Sequence, residues 1–153
     1  MEILYMQKLE QWKEKYNRGV AATSERVQQI ETTYDIVFPQ AYKEYLLISG
    51  EYFPGLVIGH RLKHAEDDQK RAQDLLQEYK LTHLITKPFW VVGDTDISFF
   101  YIHLDEGDNP PVYRLTPEDY EDYQDEKTFG KIYESFQEWI EFAINNYELK
   151  QED

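Results

Sequence analysis

The chain has 153 residues, and its 30 acidic residues against 16 basic ones give a formal net charge of -14. A field of this sign repels phosphate backbones and anionic lipid headgroups, so it argues against direct binding of nucleic acid or membrane and favours a basic protein partner. The chain has no cysteine, which excludes thiol catalysis, a disulfide framework and cysteine-containing zinc sites.

Composition and the N-terminal segment indicate a folded, acidic domain in the cytoplasm. Acidic disordered proteins are poor in aromatic residues, whereas 16% of this chain is aromatic, which is enough to fill a core. In the N-terminal segment MEILYMQKLEQWKEKY, charged residues interrupt every apolar run, so neither a signal peptide nor a membrane span can be drawn there. We therefore expect one domain over residues 1–153, located in the cytoplasm.

Apolar spacing predicts two helices at the start of the chain. The first runs from about Ile3 to Tyr16 and ends near Gly19. Thr23 or Ser24 caps the second. Val27, Ile30 and Tyr34 fall on one face of this second helix.

The segment from Ile30 to Gly50, IETTYDIVFPQAYKEYLLISG, predicts a helix, an extended stop and another helix. Pro39 disfavours the α conformation in Phe38 and suits the first turn of the helix that follows. We expect Gly50 to end that helix as a left-handed cap. The inward face of the helix is formed by Tyr42, Tyr45, Leu46 and Ser49.

The middle of the chain combines a short strand with a charged helix. Pro54 and Gly55 predict a turn into the strand Leu56 to Ile58. A helix from about Glu66 to Lys80 follows. Its inward face is formed by Ala72, Leu75, Leu76 and Tyr79.

A hairpin is the clearest β signal in the chain. The strands Phe89 to Val92 and Ile97 to Leu104 flank a turn over residues 93–96. Both faces of the second strand are apolar, with Ile97, Phe99 and Tyr101 on one side and Phe100, Ile102 and Leu104 on the other. We therefore expect helices to cover at least one face of a central sheet.

The C-terminal third predicts one more strand and two helices. The strand is Val112 to Leu115, and Thr116, Pro117 and Asp119 are typical of the start of a short helix. Ser135 and Glu138 form a capping box for the last helix, whose stripe is Phe136, Trp139, Ile140 and Ala143. The predicted fold class is α+β: a single domain with a central, mainly antiparallel sheet packed by N-terminal helices and a C-terminal helix.

These motifs, taken in order, resemble the SUKH superfamily over roughly residues 24 to 145. The residues that match its motifs and should carry the fold are Phe38, Pro39, Tyr42, Leu46, Gly50, Trp90, Pro110, Pro111 and Trp139. The resemblance implies an immunity protein that neutralises a cognate bacterial polymorphic toxin, often a nuclease, by stoichiometric binding without cofactor or turnover. Other members of the superfamily are similar to regulators of cell-wall assembly, so the alternative is a non-enzymatic interaction module in such regulation or in signalling.

The search for chemistry in the sequence returns no catalytic, cofactor-binding or metal-binding motif. His60 and His64 are four residues apart, but Arg61 and Lys63 between them disfavour a metal, so we interpret both as surface histidines. His103 alternates within an apolar strand, which favours a partly buried imidazole over a general base. We therefore expect a protein that is not an enzyme and needs no cofactor.

The segment from Asp105 to Glu126 is the candidate binding surface, because it holds nine acidic residues, three tyrosines and a single basic residue, Arg114. Tyrosine anchors within a charged rim are typical of interfaces, and acidic patches accelerate association with basic partners. The hypothesis is that this surface docks on a basic toxin domain, and the alternative is an acidic face that only maintains solubility. The residues assigned to it are Asp105, Glu106, Asp108, Tyr113, Glu118, Asp119, Tyr120, Glu121, Asp122, Tyr123 and Asp125. The identity of the toxin, the oligomeric state and the order of the strands are left open.

Overall fold

The computed structural model describes residues 2–55, 61–122 and 128–151. The helices are α1 Gln7–Tyr16, α2 Ser24–Tyr34, α3 Gln40–Ser49, α4 Ala65–Glu78 and α5 Phe136–Gln151, with short 3₁₀ turns at Leu62–His64 and Pro117–Asp119. The strands are β1 Phe89–Asp94, β2 Phe99–His103, β3 Val112–Leu115 and β4 Phe129–Tyr133, and they form an antiparallel sheet in the order β1-β2-β3-β4. This architecture confirms the predicted α+β class. The predicted strand from Leu56 to Ile58 lies outside the described residues.

Helix α1 begins later than the sequence predicts, because the residues before it bind a side chain of α3 through their backbone N–H groups. The buried carboxylate of Glu44, on α3, accepts hydrogen bonds from the backbone N–H groups of Leu4, Tyr5 and Met6 at 2.8 to 3.1 Å. The first helical residue is therefore Gln7. This carboxylate from a neighbouring helix binds the N–H of the N-cap residue Met6 and those of the two residues before it, and its charge complements the helix dipole.

The boundary between α2 and α3 follows the prediction in outline and differs in its caps. Thr23 caps α2, since its hydroxyl accepts from the Arg26 N–H at 3.2 Å. Pro39 directly precedes α3 instead of lying in its first turn. The prediction of a left-handed cap at Gly50 is wrong, because Gly50 has a right-handed φ of -64°. Glycine is needed there for space: a Cβ would lie 2.6 Å from the carbonyl oxygen of Leu46.

The sheet separates two apolar cores. Phe100 and Ile102 of β2 pack on the side that carries α1, α2, α3 and α5, while Phe99 and Tyr101 pack against α4 on the other side. This confirms that both faces of the strand are apolar. Ile97 was predicted to be part of that pattern, but it is 53% exposed.

A β-bulge explains why the hairpin turn is shifted. Pairing between β1 and β2 shifts register between Val91 and Gly93, so β1 continues to Asp94. The turn then falls at residues 95–98, where the Thr95 N–H donates to the Ser98 carbonyl at 2.8 Å. The extra residue in β1 lengthens the strand and leaves Ile97 outside the ladder.

The start of α5 confirms the predicted capping box in part. The Ser135 hydroxyl accepts from the Glu138 N–H at 3.1 Å, but the Glu138 carboxylate accepts from Glu134, one residue earlier than the standard arrangement. The predicted stripe of α5 is buried as expected.

Thr116 is the N-cap residue of the 3₁₀ turn and Pro117 follows in its first turn, as predicted, but the Thr116 side chain does not form the cap. Its hydroxyl lies 2.6 Å from that of Ser98, a position that joins β2 to the end of β3, so it makes no cap bond in the 3₁₀ turn that follows.

Candidate partner-binding surface

The first acidic group, defined as Asp105, Glu106 and Asp108, follows the end of β2 and is partly tied to the fold. The Tyr113 hydroxyl donates to both carboxylate oxygens of Glu106 at 3.0 Å. Lys87 places its Nζ atom 3.8 Å from the same carboxylate and 3.7 Å from that of Asp105. Glu106 is therefore engaged within the protein, whereas the side chains of Asp105 and Asp108 are exposed.

Tyr113 and His103 complete the surroundings of Glu106. Burial, followed by the hydrogen bond to Glu106, raises the pKa of Tyr113 to about 12, so the phenol stays protonated and keeps donating at neutral pH. The His103 ring lies with Nε2 at 3.9 Å from Glu106 and Nδ1 at 3.3 Å from the Pro88 carbonyl oxygen. Both side chains stabilise the turn after β2.

The second acidic group, defined as Glu118, Asp119, Glu121 and Asp122, occupies and follows the 3₁₀ turn after β3. Its side chains are exposed except for that of Asp119, which is half-buried. Tyr120 anchors the segment, because its ring packs edge-on against Phe129 of β4 with the centroids 6.0 Å apart. The predicted site residues Tyr123 and Asp125 lie outside the described residues.

The two acidic groups lie at opposite ends of β3, which spans about 10 Å between its terminal Cα atoms. Tyr113 and Tyr120 both pack against the core on the α4 side of the sheet. The structure thus brings the two tyrosines to one face and separates the acidic groups along it. A role of these residues in partner binding stays a prediction.

The described part of the chain brings together no group of side chains that could hold a metal ion. Within residues 2–55, 61–122 and 128–151, no three His, Asp or Glu side chains come together as a metal site. A groove of about 410 Å³ lies beside β1, and among its described lining residues only Lys87 is charged. His60, one of the two histidines considered as metal ligands, lies outside the described residues. None of the described helices is both long enough and apolar enough to cross a membrane.

The residues matched to the superfamily motifs lie mainly in the core. The side chains of Phe38, Tyr42, Leu46, Trp90 and Trp139 are all buried in the cluster that joins the helices to the sheet. The Trp90 indole donates to the Tyr42 hydroxyl at 3.2 Å, which links β1 to α3.

The Pro110 carbonyl accepts from the Phe136 N–H and so ties the turn before β3 to the start of α5. Pro111 follows in the same turn and is partly exposed.

A comparison with protein-family models matches residues 21–141 to the model of the SMI1 / KNR4 family (SUKH-1), which is most of the chain. The chain belongs to the SMI1 / KNR4 family (SUKH-1). The resemblance read from the sequence is thereby confirmed. A search of curated proteins finds no significant match. Helix α1 precedes the matched range and is joined to this SUKH-1 domain through Glu44.

The charge of this SUKH-1 domain is concentrated in its C-terminal third. Residues 101–153 hold fifteen acidic residues against four basic ones, a formal charge of -11. Residues 1–100 hold fifteen acidic residues against twelve basic ones, a formal charge of -3. In the described structure, β3, β4 and α5 belong to the C-terminal third of the chain.

Sequence reasoning missed β4 and therefore missed one edge of the sheet. The strand sequence is FGKIY, in which Gly130 and Lys131 interrupt the apolar alternation. The strand could have been predicted from its position, because FGKIY lies between the acidic residues that follow β3 and the capping box at Ser135. Without β4, the open edge beside the acidic residues is not visible from the sequence.

Proposed function

We propose that this SUKH-1 protein is an immunity protein that binds a cognate bacterial polymorphic toxin, a basic nuclease, and neutralises it by stoichiometric binding. It acts in the cytoplasm, where an incoming nuclease would meet its substrate. The mechanism is occlusion: the acidic surface covers basic residues that would otherwise bind phosphates. No cofactor and no turnover are required.

The observation that carries this proposal is the concentration of negative charge in the last third of a chain whose family is known for immunity proteins. A nuclease needs a basic site to hold its substrate, and an acidic patch of complementary shape accelerates association with such a site. A charge spread evenly over the surface would favour solubility alone. Here residues 101–153 carry -11 of the -14 formal charges.

The second acidic group is better placed for recognition than the first. Glu106, at the centre of the first group, is bonded to Tyr113 and lies close to Lys87, so its charge is partly compensated within the protein. In the second group, Glu118, Glu121 and Asp122 are exposed. These three carboxylates are therefore the ones we expect to face basic side chains of the toxin.

A charge-reversal experiment tests the role of the second acidic group. The variant Glu118→Lys/Glu121→Lys/Asp122→Lys should weaken binding of the toxin domain by about tenfold or more, mainly through slower association, and the loss should shrink as salt rises. The probe is the C-terminal domain of the large secreted protein encoded nearest to this gene, titrated by calorimetry and surface plasmon resonance. Equal affinity of the variant and the wild type would remove this group from the mechanism.

A matched control separates local complementarity from net charge. The variant Glu10→Lys/Glu14→Lys/Glu25→Lys changes the net charge by the same amount, and the reversed residues are exposed on α1 and α2, away from β3 and β4. It should retain nearly wild-type affinity. If both triple variants lose affinity equally, the field of the whole protein and not the second acidic group is responsible.

The alternative function is an interaction module in the regulation of cell-wall assembly or signalling, like the regulators that other members of the superfamily resemble. The immunity function and the regulatory function predict different partners. An immunity protein neutralises the toxicity of a secreted protein's C-terminal domain, whereas a regulatory module binds a protein whose expression does not stop growth.

A further inference from the structure

The outer edges of β1 and β4 differ in whether other described residues hydrogen-bond to their backbone groups. At β1, the buried side chain of Gln69 on α4 binds the outer edge: its amide nitrogen donates to the Phe89 carbonyl at 3.1 Å and its oxygen accepts from the Val91 N–H at 2.9 Å. An amide side chain thus takes the place of a neighbouring strand. The β1 edge is closed to further pairing.

The β4 edge is open in the described structure. The Thr116 N–H donates to the Thr128 carbonyl at 2.7 Å, which fixes the alternation of backbone groups along the β3–β4 ladder. By this alternation, the backbone N–H and C=O groups of Phe129 and Lys131 point away from β3. Neither residue makes a backbone hydrogen bond on that outer side with any other residue that the structure describes. These groups form a short template for one more strand.

Exposed apolar side chains lie beside this edge. Phe142 of α5 is 51% exposed, and its ring lies 5.7 Å from that of Tyr133 at the end of β4. Leu149, two helical turns further along α5, is 61% exposed. We define the β4 edge surface as the outer edge of β4 together with Tyr133 and Phe142. A strand paired with β4 would place alternate side chains over these two rings.

The electrostatics of the β4 edge surface favour a basic occupant. Lys131 is the one cation of β4, and its Nζ atom is paired with Glu134 at 3.0 Å. Glu138 and the second acidic group, whose neighbour Tyr120 packs on Phe129, add further negative charge around the edge. Two copies of this chain, each with a charge of -14, would repel one another there.

We infer that the β4 edge surface binds an extended, basic strand of the toxin domain, which adds a fifth strand to the sheet. Backbone hydrogen bonds to Phe129 and Lys131 supply the affinity, and an apolar residue of that strand packs on Phe142. Basic side chains on either side of it meet the carboxylates that surround the edge. This inference rests on the proposed function and names the part of the surface and the form of the partner.

Three measurements with the full chain and the same toxin domain test the inference. Phe142→Asp should weaken binding by about 30-fold or more, because it places a carboxylate where an apolar contact is expected. Lys131→Pro removes an outward N–H without removing a bond to β3, so it should weaken binding by about tenfold while the fold is retained, as checked by circular dichroism. Amide hydrogen exchange of the wild type should slow at Phe129 and Lys131 when the toxin domain is bound.

The matched control is Ile97→Asp, because Ile97 is 53% exposed and lies at the far hairpin turn. It should bind like the wild type. If the wild type binds the toxin domain, while Phe142→Asp equals Ile97→Asp and exchange in β4 does not slow, the inference is overturned and the proposed function stands. If the wild type itself fails to bind a domain that is toxic to cells, both the proposed function and this inference fail.

Discussion

Glu44 offers the sharpest test of how this fold is held together, because one buried carboxylate organises the whole N-terminal segment. Its side chain is 0% exposed and accepts from the N–H groups of Leu4, Tyr5 and Met6, and from the Gln40 side-chain amide at 2.9 Å. Replacing it changes the start of α1 without altering any apolar contact of the sheet. The perturbation is therefore local and its size can be worked out.

The substitution Glu44→Gln keeps the length of the side chain and removes its charge. Hydrogen bonds to a charged group contribute about 1.5–3 kcal/mol and neutral ones about 0.5–1.5, so each bond loses about 1–1.5 kcal/mol and three backbone bonds lose about 3–4.5 kcal/mol in total. Glu44→Ala leaves the three N–H groups without their acceptor and opens a cavity, so it should cost about 4–5 kcal/mol. The expected order of destabilisation is alanine above glutamine.

The assay is urea unfolding at pH 7.5, followed by tryptophan fluorescence, with amide exchange of α1 as a local readout. The control is Glu10→Gln, which removes an exposed carboxylate from the first turn of α1 and should change the free energy of unfolding by less than about 0.5 kcal/mol. In the Glu44 variants, exchange should accelerate in α1 more than in β2. If Glu44→Gln is as stable as Glu10→Gln, the buried carboxylate does not hold α1 and the reasoning is refuted.

Three further predictions concern stability. Burial and the neighbouring Asp94 carboxyl raise the pKa of Asp68 from 3.8 to about 6, so this group's stabilisation is complete below about pH 4 and is lost as the pH rises through 6. Asp68→Asn should therefore raise the free energy of unfolding at pH 7.5 by about 1 kcal/mol after allowance for solvent screening, and flatten its pH dependence; an unchanged slope in urea titrations from pH 4 to 7.5 would contradict this. Gln69→Leu should cost about 2–3 kcal/mol, because it leaves two backbone groups of β1 without a partner, and a thermal midpoint equal to that of the wild type would show that the edge needs no such closure. Gly50→Ala should destabilise by about 1–3 kcal/mol through its contact with the Leu46 carbonyl, whereas stabilisation in the same assay would mean that this space is not required.

Local patterns in the sequence predicted most of the helices and the central hairpin. The stripe of α5 and the opposed apolar faces of β2 depend on residue spacing alone, and both are confirmed. The Thr23 cap of α2 is likewise a short-range signal. Such features are determined within a few residues, so their periodicity can be read without knowledge of the fold.

The misses come from contacts between residues far apart in the chain. Nothing near Ile3 shows that a carboxylate forty residues later will replace the first turn of α1. The strand β4 is specified by pairing with β3, because its own sequence contains Gly130 and Lys131 and alternates poorly. The side chain that closes the β1 edge, Gln69, sits on a helix that resembles any charged amphipathic helix.

The candidate surface was predictable in charge but not in geometry. The acidic residues between Asp105 and Glu126 are visible in the sequence, whereas their separation by the length of β3 is not. The internal use of Glu106 by Tyr113 also appears only in three dimensions. The open edge of β4 could not be predicted either, because it depends on the order of the strands in the sheet.

The most direct test of the proposed function is to titrate the nuclease activity of the nearest encoded toxin domain with this protein, while scoring growth of cells that express both. The account predicts that activity falls linearly and reaches zero at one equivalent, that the two proteins elute as a one-to-one complex, and that growth is restored. A domain that is toxic, yet is neither bound nor inhibited at a large excess of this protein, would contradict the assignment as its immunity protein.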